Sequence, residues 1–262
     1  MLNIIDVHKT FNKGTVNEKK ALDGIDLHLN PGDFVTVIGG NGAGKSTMLN
    51  MIAGVYPIDQ GTILLDGKDI SDLPEHKRAY MLGRVFQDPM MGTAAGMEIQ
   101  ENMAHRRGKN RGLRWGITKS EKKMYKEKLA MLDLGLEDRL TSKVGLLSGG
   151  QRQALTLLMA TLNKPSLLLL DEHTAALDPK TAKKVLELTE KIIARDSLTA
   201  MMVTHNMKDA IRIGNRLIMM NSGRIIYDVS GEEKKNLKVA DLLQKFEETS
   251  GEDFANDRML LS

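Results

Sequence analysis

Apolar residues along this chain follow two periods, and the period changes from segment to segment. Alternation or a short apolar run predicts strands at residues 2–7, 25–29, 34–38, 167–170 and 199–203. Apolar residues at helical spacing predict helices at residues 45–53, 150–162, 181–194 and 237–246. Residues 62–65, followed by Asp66 and Gly67, indicate a hairpin. Strands and helices in this order favour an α/β fold with parallel strands covered by helices.

The middle of the chain differs in composition. Residues 88–147 contain few β-branched runs and many charged residues, which predicts a mostly helical insertion. We therefore expect an α/β core at residues 1–87 and 148–230, a helical subdomain at 88–147, and a C-terminal helical extension at 231–262. The apolar stripe from Leu237 to Phe246 predicts a terminal helix that docks on the core rather than one that binds a partner.

Composition excludes several classes of protein. The chain has 262 residues, of which 41% are hydrophobic, so it can bury a sizeable core. It has no cysteine, which excludes disulfides, thiol catalysis and thiolate metal sites. No apolar stretch approaches the length of a membrane span and no signal peptide is visible, so we expect any membrane contact to be peripheral. A net charge of +3 is too balanced to indicate a nucleic-acid binder.

One glycine-rich segment carries a phosphate-binding pattern. It reads Gly39-Gly40-Asn41-Gly42-Ala43-Gly44-Lys45-Ser46 and is followed by Thr47, between a predicted strand and a predicted helix. Glycines let the backbone N–H groups wrap a phosphate, and the helix presents its positive end to the same anion. In this P-loop pattern the lysine reaches the β- and γ-phosphates and the serine hydroxyl ligates Mg²⁺. A chance glycine-rich turn is the alternative, and the flanking elements argue against it.

An acidic segment after a predicted strand supplies the other half of an ATPase site. Residues 167–170 are leucines, and Asp171 and Glu172 follow them. Phosphoryl transfer needs a metal, positioned charge and an oriented water. We expect Asp171 to hold the Mg²⁺ shell and Glu172 to polarise the attacking water. The alternative interpretation is that these two acids are only the solvated end of a strand.

The segment Leu147-Ser148-Gly149-Gly150-Gln151 makes the pattern specific. It lies 23 residues before Asp171, counted from Ser148, and opens a predicted helix. A serine hydroxyl, glycine N–H groups and a helix N-terminus suit an anion. The pentapeptide resembles the signature of ABC ATPases. That resemblance implies a P-loop NTPase core of ABC ATPase type with an antiparallel β subdomain and an inserted α-helical subdomain, in which two subunits sandwich two ATP molecules.

The same resemblance implies roles for four further residues. Gln87 is similar to the glutamine that contacts Mg²⁺ and water and links the core to the helical subdomain. His205 is similar to the histidine that contacts the γ-phosphate and holds the active geometry with Glu172. Phe11 is similar to the aromatic residue that stacks on adenine. Asp178 is similar to the aspartate of the D-loop.

Two positions depart from the family pattern. His173 replaces a proline that often follows the catalytic glutamate, and Ala175 replaces a serine of the D-loop. The loss of that serine removes a possible hydroxyl contact across the dimer, which puts details of subunit communication in doubt. We interpret His173 as a structural substitution, although a histidine can titrate near neutral pH.

Positive charge is concentrated in one segment. Residues 105–128 contain ten Lys or Arg and two Glu, a charge of +8, which leaves −5 on the remainder of the chain. Arg106, Arg107, Arg111 and Arg114 fall in this segment. It is interpreted as a solvated face, as a contact with anionic lipid or a nearby permease, or as a nucleic-acid contact.

The leading functional hypothesis is an energy-coupling ATPase of a small-solute importer, with ATP and Mg²⁺ as cofactors. Its expected partners are a second copy of the chain, integral membrane permease subunits and an extracytoplasmic solute-binding protein, with the chain on the cytoplasmic side of the membrane and no nucleic acid. The resemblance to ATPases of binding-protein-dependent systems implies amino acids as the solute class. The alternatives are the ATPase of an exporter or lipoprotein-release system, a non-transport ABC ATPase, and a nucleotide-binding module without turnover.

Overall fold

The computed structural model of the protein describes residues 1–106 and 116–250. The strands are β1 (Leu2–Phe11), β2 (Lys19–Leu29), β3 (Phe34–Ile38), β4 (Gln60–Leu65), β5 (Lys68–Asp69), β6 (Leu82–Val85), β7 (Leu167–Asp171), β8 (Ala200–Val203), β9 (Arg216–Asn221) and β10 (Arg224–Ser230). The helices are α1 (Lys45–Ala53), α2 (Glu75–Arg78), α3 (Ile99–Arg106), α4 (Lys119–Ala130), α5 (Gly149–Thr161), α6 (Pro179–Asp196), α7 (Met207–Arg212), α8 (Gly231–Asn236) and α9 (Val239–Ser250).

The chain folds into two compact units. The first comprises Met1–Leu82, Ser166–Glu172 and the chain from Ser197 onward, and the second comprises Gly83–Pro165 and His173–Asp196. The segment predicted as a helical subdomain, residues 88–147, falls within the second unit. That unit also contains α5 and α6.

Two sheets form the framework of the first unit. One is antiparallel, with the order β2-β1-β4-β5. The other contains the order β10-β9-β3-β8-β7, in which β9, β3, β8 and β7 run parallel and β10 pairs antiparallel with β9. The predicted α/β architecture, with its antiparallel sheet, is thereby confirmed.

The parallel strands are buried because the chain covers both of their faces. Every residue of β3 and β8 is buried, as are Leu167–Leu170 of β7, which explains why these strands are apolar without alternation. One core joins the inner faces of the two sheets to α1 through residues such as Leu2, Val37 and Leu49. A second core lies against β9 and holds the C-terminal helix.

The C-terminal helix α9 docks as its apolar stripe predicts. Leu242 and Phe246 are buried against Met207, Ala210 and other residues of α7, β9 and β10. Residues 251–262 of the predicted extension lie outside the described residues.

The helical prediction for the middle of the chain is met in part by α3 and α4. Thr118 caps α4 by accepting a hydrogen bond from the Glu121 amide, and Glu121 in turn accepts from the Thr118 amide. Tyr125 and Leu129 give α4 a buried face. The apolar pattern does not predict β9 and β10, and it places the end of β1 at Val7 instead of Phe11.

Candidate functional site

The glycine-rich loop connects β3 to α1, and its glycines occupy positions that no other residue fits. Gly39 has φ +147°, and a Cβ there would lie 2.2 Å from the carbonyl oxygen of Met220. Gly44 has φ +101°, and its Cβ would lie 2.6 Å from the carbonyl oxygen of Ala21. These backbone conformations and close approaches require glycine. The loop therefore packs between β9 and β2, and its amides lie at the N-terminus of α1.

Lys45 is the first residue of α1 and is buried. Its Nζ donates to the carbonyl oxygens of Gly39 at 2.7 Å and Gly40 at 2.9 Å. The ammonium thus lies over the loop that precedes it in the chain. An ammonium in this position is available to a phosphate held by the same loop.

A cavity of about 250 Å³ opens in front of the loop. Its lining comes from five separate segments of the first unit: Phe11, Lys19, Ala21, Asn41, Gly42, Ala43, Gly44, Lys45, Ser46, Thr47, Glu172 and His205. All of these residues except Lys19 and Ala21 are candidate site residues of the sequence analysis. The pairing of β2 with β1 brings Lys19 and Ala21 to the cavity. Only a prediction of that strand pairing would have identified them.

Phe11 stands at the end of β1 with an aromatic and a cationic neighbour. The ring of Tyr56 meets it edge-on, with centroids 5.2 Å apart and an interplanar angle of 82°. The Nζ of Lys9 lies 5.7 Å from the Phe11 centroid and also pairs with Asp59 at 2.8 Å. These contacts hold the ring in place at the cavity wall, where it is available for stacking.

Asp171 and Glu172 follow the leucines of β7, as the sequence pattern predicts. Ser46 Oγ donates to Asp171 Oδ1 at 3.4 Å, so two oxygen atoms suited to a hard cation lie together at the start of α1. Within residues 1–106 and 116–250, no cluster of three or more His, Asp or Glu side chains has the geometry of a metal site. The two oxygens are of the kind that Mg²⁺ prefers.

Glu172 and His205 form the most direct side-chain contact of the site. Glu172 has φ +45°, and its amide donates to the carbonyl oxygen of Val203 at 3.1 Å. His205 Nε2 lies 2.5 Å from Glu172 Oε1. Because β7 and β8 are parallel neighbours with Asp171 opposite Val203, the residues that follow these strands meet at one edge of the sheet.

The signature residues lie in the second unit, where Ser148 caps α5. Ser148 Oγ accepts from the Gln151 amide at 3.3 Å, and Gln151 Oε1 accepts from the Ser148 amide at 3.2 Å. A Cβ on Gly150 would lie 2.1 Å from Cγ2 of Thr181, so this glycine lets α5 pack closely on α6. Ser148 retains its own hydroxyl proton for an external acceptor. Leu147 is buried beside it.

Gln87 and Asp178 are also in the second unit. Gln87 is exposed and comes directly after Phe86, whose carbonyl oxygen accepts from Gln153 Nε2 at 3.0 Å. Asp178 Oδ1 accepts from the Thr181 amide at 3.1 Å at the start of α6. Hydrogen bonds from Thr181 hold the pKa of the Asp178 carboxyl below its ordinary value.

The two departures from the family pattern have different surroundings. His173 is buried, and its Nε2 lies 3.0 Å from Oγ1 of Thr189. Burial lowers the pKa of His173 to about 4, so the ring is neutral at ordinary pH, as a structural substitution requires. Ala175 is exposed.

The basic segment is only partly described. Arg107, Arg111 and Arg114 lie outside the described residues, as does the side chain of Arg106. The three interpretations of this segment stay predictions. None of the described helices is both long enough and apolar enough to cross a membrane.

Comparison with known proteins agrees with this geometry. Residues 22–175 match the family described as ABC transporter. The chain is 43% identical to a tyrosine transport ATP-binding protein of Clostridioides difficile over 94% of this chain and 99% of that protein. It is 36% identical to a spermidine/putrescine import ATP-binding protein of Haemophilus ducreyi over 85% of this chain, and it spans 58% of that protein's length.

Solved structures resemble the fold at similar coverage. A dimeric ATP-binding cassette, in a post-hydrolysis state with ADP and Pi bound, superposes with a TM-score of 0.74 at 31% identity. The match covers 88% of this chain and 98% of that one.

Proposed function

Because the chain belongs to the ABC transporter family and is an ATP-hydrolysing subunit, we propose that it drives the import of a small solute through separate membrane permease subunits. The observation that carries the ATP-driven part of this proposal is the contact of 2.5 Å between His205 and Glu172 in the same cavity as the P-loop. The import part is supported by the likeness to the spermidine/putrescine import ATP-binding protein. A chain that only bound nucleotide would not need a carboxylate and an imidazole held together at the phosphate end of that cavity.

Nucleotide binding divides the cavity into a base end and a phosphate end. We assign the adenine to the ring of Phe11, which its neighbours Tyr56 and Lys9 hold at the wall. The amides of residues 39–47 and the positive end of α1 receive the phosphates. Lys45 exchanges its carbonyl partners for phosphate oxygens, since an ammonium binds an anion more strongly than a neutral carbonyl.

We assign Mg²⁺ to the oxygens of Ser46 and Asp171, and the family resemblance adds Gln87 as a further ligand. The proximity of the Ser46 hydroxyl and the Asp171 carboxylate supports this assignment, since hard cations prefer oxygen ligands. When bound, the cation neutralises phosphate charge. The remaining chemistry comes from residues of the chain itself.

Glu172 acts on the attacking water. Its carboxylate accepts a hydrogen bond from a water in front of the γ-phosphate and orients it for in-line attack. His205 holds Glu172 in that orientation through its Nε2 and has its exposed edge free to approach the γ-phosphate.

The second half of each site comes from another copy of the chain. Residues 147–151 offer a serine hydroxyl, glycine amides and the N-terminus of α5, and we assign them to the γ-phosphate of the ATP bound by the partner, with Asp178 at the same interface. A homodimer is the simplest arrangement, because the chain carries all motifs of a competent site.

The transported solute is proposed as an amino acid, on the likeness to the tyrosine transport protein. A permease and an extracytoplasmic binding protein complete the proposed importer, with this chain on the cytoplasmic side of the membrane. Gentle purification of the tagged chain from membranes, followed by mass spectrometry, tests these partners. Recovery with ribosomes, DNA or an export complex instead would contradict the import proposal.

The role of Glu172 is tested by Glu172→Gln, which keeps the shape of the side chain but removes its negative charge. We expect ATP hydrolysis to fall by about 100-fold or more, since general-base groups contribute on the order of 10²–10⁴ in rate. ATP binding should persist, and a dimer with trapped ATP should accumulate in size-exclusion chromatography. Glu187→Gln, at an exposed position of α6, is the matched control and should hydrolyse ATP normally. Normal hydrolysis by Glu172→Gln would disprove the assignment.

A further inference from the structure

The end of β1 and the start of β2 lie side by side at the nucleotide cavity. In the antiparallel pair they form, Lys19 is directly opposite Phe11. Residues opposite one another in such a pair have Cβ atoms about 4.5–5.5 Å apart and share a face of the sheet. The pairing therefore sets a long cationic side chain beside the aromatic ring at the cavity wall.

The alternation of β2 directs Lys19 to the cavity. Lys19 and Ala21, two residues apart, both line it. Lys20 lies between them on the opposite face, and its Nζ contacts Asp23 at 2.6 Å. Since successive side chains of a strand point to opposite faces, the direction of Lys19 follows from the strand itself.

The ammonium of Lys19 reaches the P-loop. It lies 3.1 Å from the position that a Cβ on Gly42 would occupy, and Gly42 has φ +78°. Lys45, by contrast, is already hydrogen-bonded to loop carbonyls. No ion pair links the Lys19 side chain to any acid within the described part of the chain. The cavity thus contains a second ammonium that forms no ion pair among the residues the structure describes.

We propose that Lys19 is a second phosphate-binding cation of the nucleotide site. Its ammonium contacts the polyphosphate of the nucleotide whose base lies against Phe11. The contact is with phosphate rather than with the ribose, because Nζ lies beside Gly42 in the loop whose amides receive the phosphates. The inference rests on the proposed function, since it requires a nucleotide in this cavity, and it adds a selectivity for nucleoside di- and triphosphates over monophosphates.

The test compares Lys19→Gln with Lys20→Gln, which removes the same charge from the opposite face of the same strand. Dissociation constants for ADP and AMP are measured by calorimetry on the full chain at several salt concentrations. We expect Lys19→Gln to weaken ADP binding by about three- to tenfold, as for one partly exposed charged hydrogen bond, and to make it less sensitive to salt. AMP binding should change by less than about twofold, because AMP lacks the phosphates at that position.

Two further variants separate the possible failures. Lys19→Arg keeps the charge and should restore ADP affinity to within about threefold of the wild type, which a purely structural role would not require. Lys45→Ala tests the proposed function itself and should lose ADP binding. If Lys45→Ala loses binding while Lys19→Gln equals Lys20→Gln, the Lys19 inference is wrong and the nucleotide site stands. If Lys45→Ala also binds ADP normally, the proposed function fails as well.

Discussion

Arg78 gives the sharpest test of what holds the P-loop helix in place. It is the last residue of α2 and only 1% exposed, yet it donates to backbone carbonyls rather than to a carboxylate. Its Nε donates to Leu73 O at 2.6 Å, and its Nη2 donates to Ser71 O at 2.8 Å. Its Nη1 donates to Met51 O at 2.6 Å and to Ile52 O at 3.0 Å, near the end of α1. The guanidinium therefore ties the last turn of α1 to the segment before α2, although Met51 O also accepts from the Gly54 amide at 3.1 Å.

The perturbation is Arg78→Met, which keeps a long side chain and removes every donor. Four lost hydrogen bonds at about 1 kcal/mol each would cost about 4 kcal/mol. The variant also removes the unfavourable burial of a charged guanidinium, which offsets part of this loss. The cost of that burial is reflected in the pKa of Arg78, which burial lowers from its ordinary value. The free energy of unfolding should therefore fall by about 3 kcal/mol.

Urea unfolding of the nucleotide-free chain, followed by circular dichroism and by fluorescence, measures the change. Arg224→Met is the matched control, since Arg224 is an exposed arginine paired with Asp23, and it should cost less than about 1 kcal/mol. Arg78→Lys should fall between the two, since one ammonium cannot reach all four carbonyls. A loss below about 0.5 kcal/mol for Arg78→Met would refute the view that the guanidinium secures the end of α1.

Three further substitutions test single features of the structure. Gly39→Ala should abolish ATP binding in a calorimetric titration, because its Cβ would meet a backbone carbonyl oxygen at 2.2 Å and displace the loop; unimpaired binding would contradict the geometry. Thr189→Val should cost about 1–3 kcal/mol of unfolding free energy by leaving the buried Nε2 of His173 without its partner, whereas Thr189→Ser should cost less. Lys234→Met should lower the free energy of unfolding in urea by about 2 kcal/mol, because the buried ammonium of Lys234 donates to two carbonyls that follow α7. Equal stability of this variant and Lys235→Met would refute that role.

The P-loop shows how much a contiguous pattern carries. Residues 39–44 form the turn between β3 and α1 that their spacing predicts, and residues 45–47 open α1. The left-handed φ of Gly44 is a conformation for which a glycine is needed. The hydrogen bonds from Lys45 to Gly39 and Gly40 run between residues close in sequence, whereas the close approaches of Met220 and Ala21 do not. Such a segment can therefore be recognised without knowing what packs around it.

The pair of Glu172 and His205 shows where sequence reasoning needs the sheet. The apolar runs before them predict two strands, and the resemblance to the family predicts their roles. Their separation of 2.5 Å follows from the parallel pairing of β7 with β8, in which Asp171 lies opposite Val203. Periodicity identifies a strand but does not determine its neighbours.

The apolar pattern of the chain does not reveal strands β9 and β10 or the position of Lys19. β9 is placed by its pairing with β3, about 180 residues earlier, where Val35 lies opposite Arg216. Lys19 carries no motif, and only the register that sets it opposite Phe11 brings it to the cavity.

The sequence by itself determined the family, the phosphate loop, the acidic strand end and the signature helix, because each is a contiguous pattern whose physics is local. Only the tertiary structure decided that Lys19 lies at the cavity, that Arg78 supports the end of α1, and that His173 is a buried neutral ring. Those features depend on contacts between residues distant in the chain. Strand pairing and core packing bring such residues together, and no spacing along the sequence encodes the result.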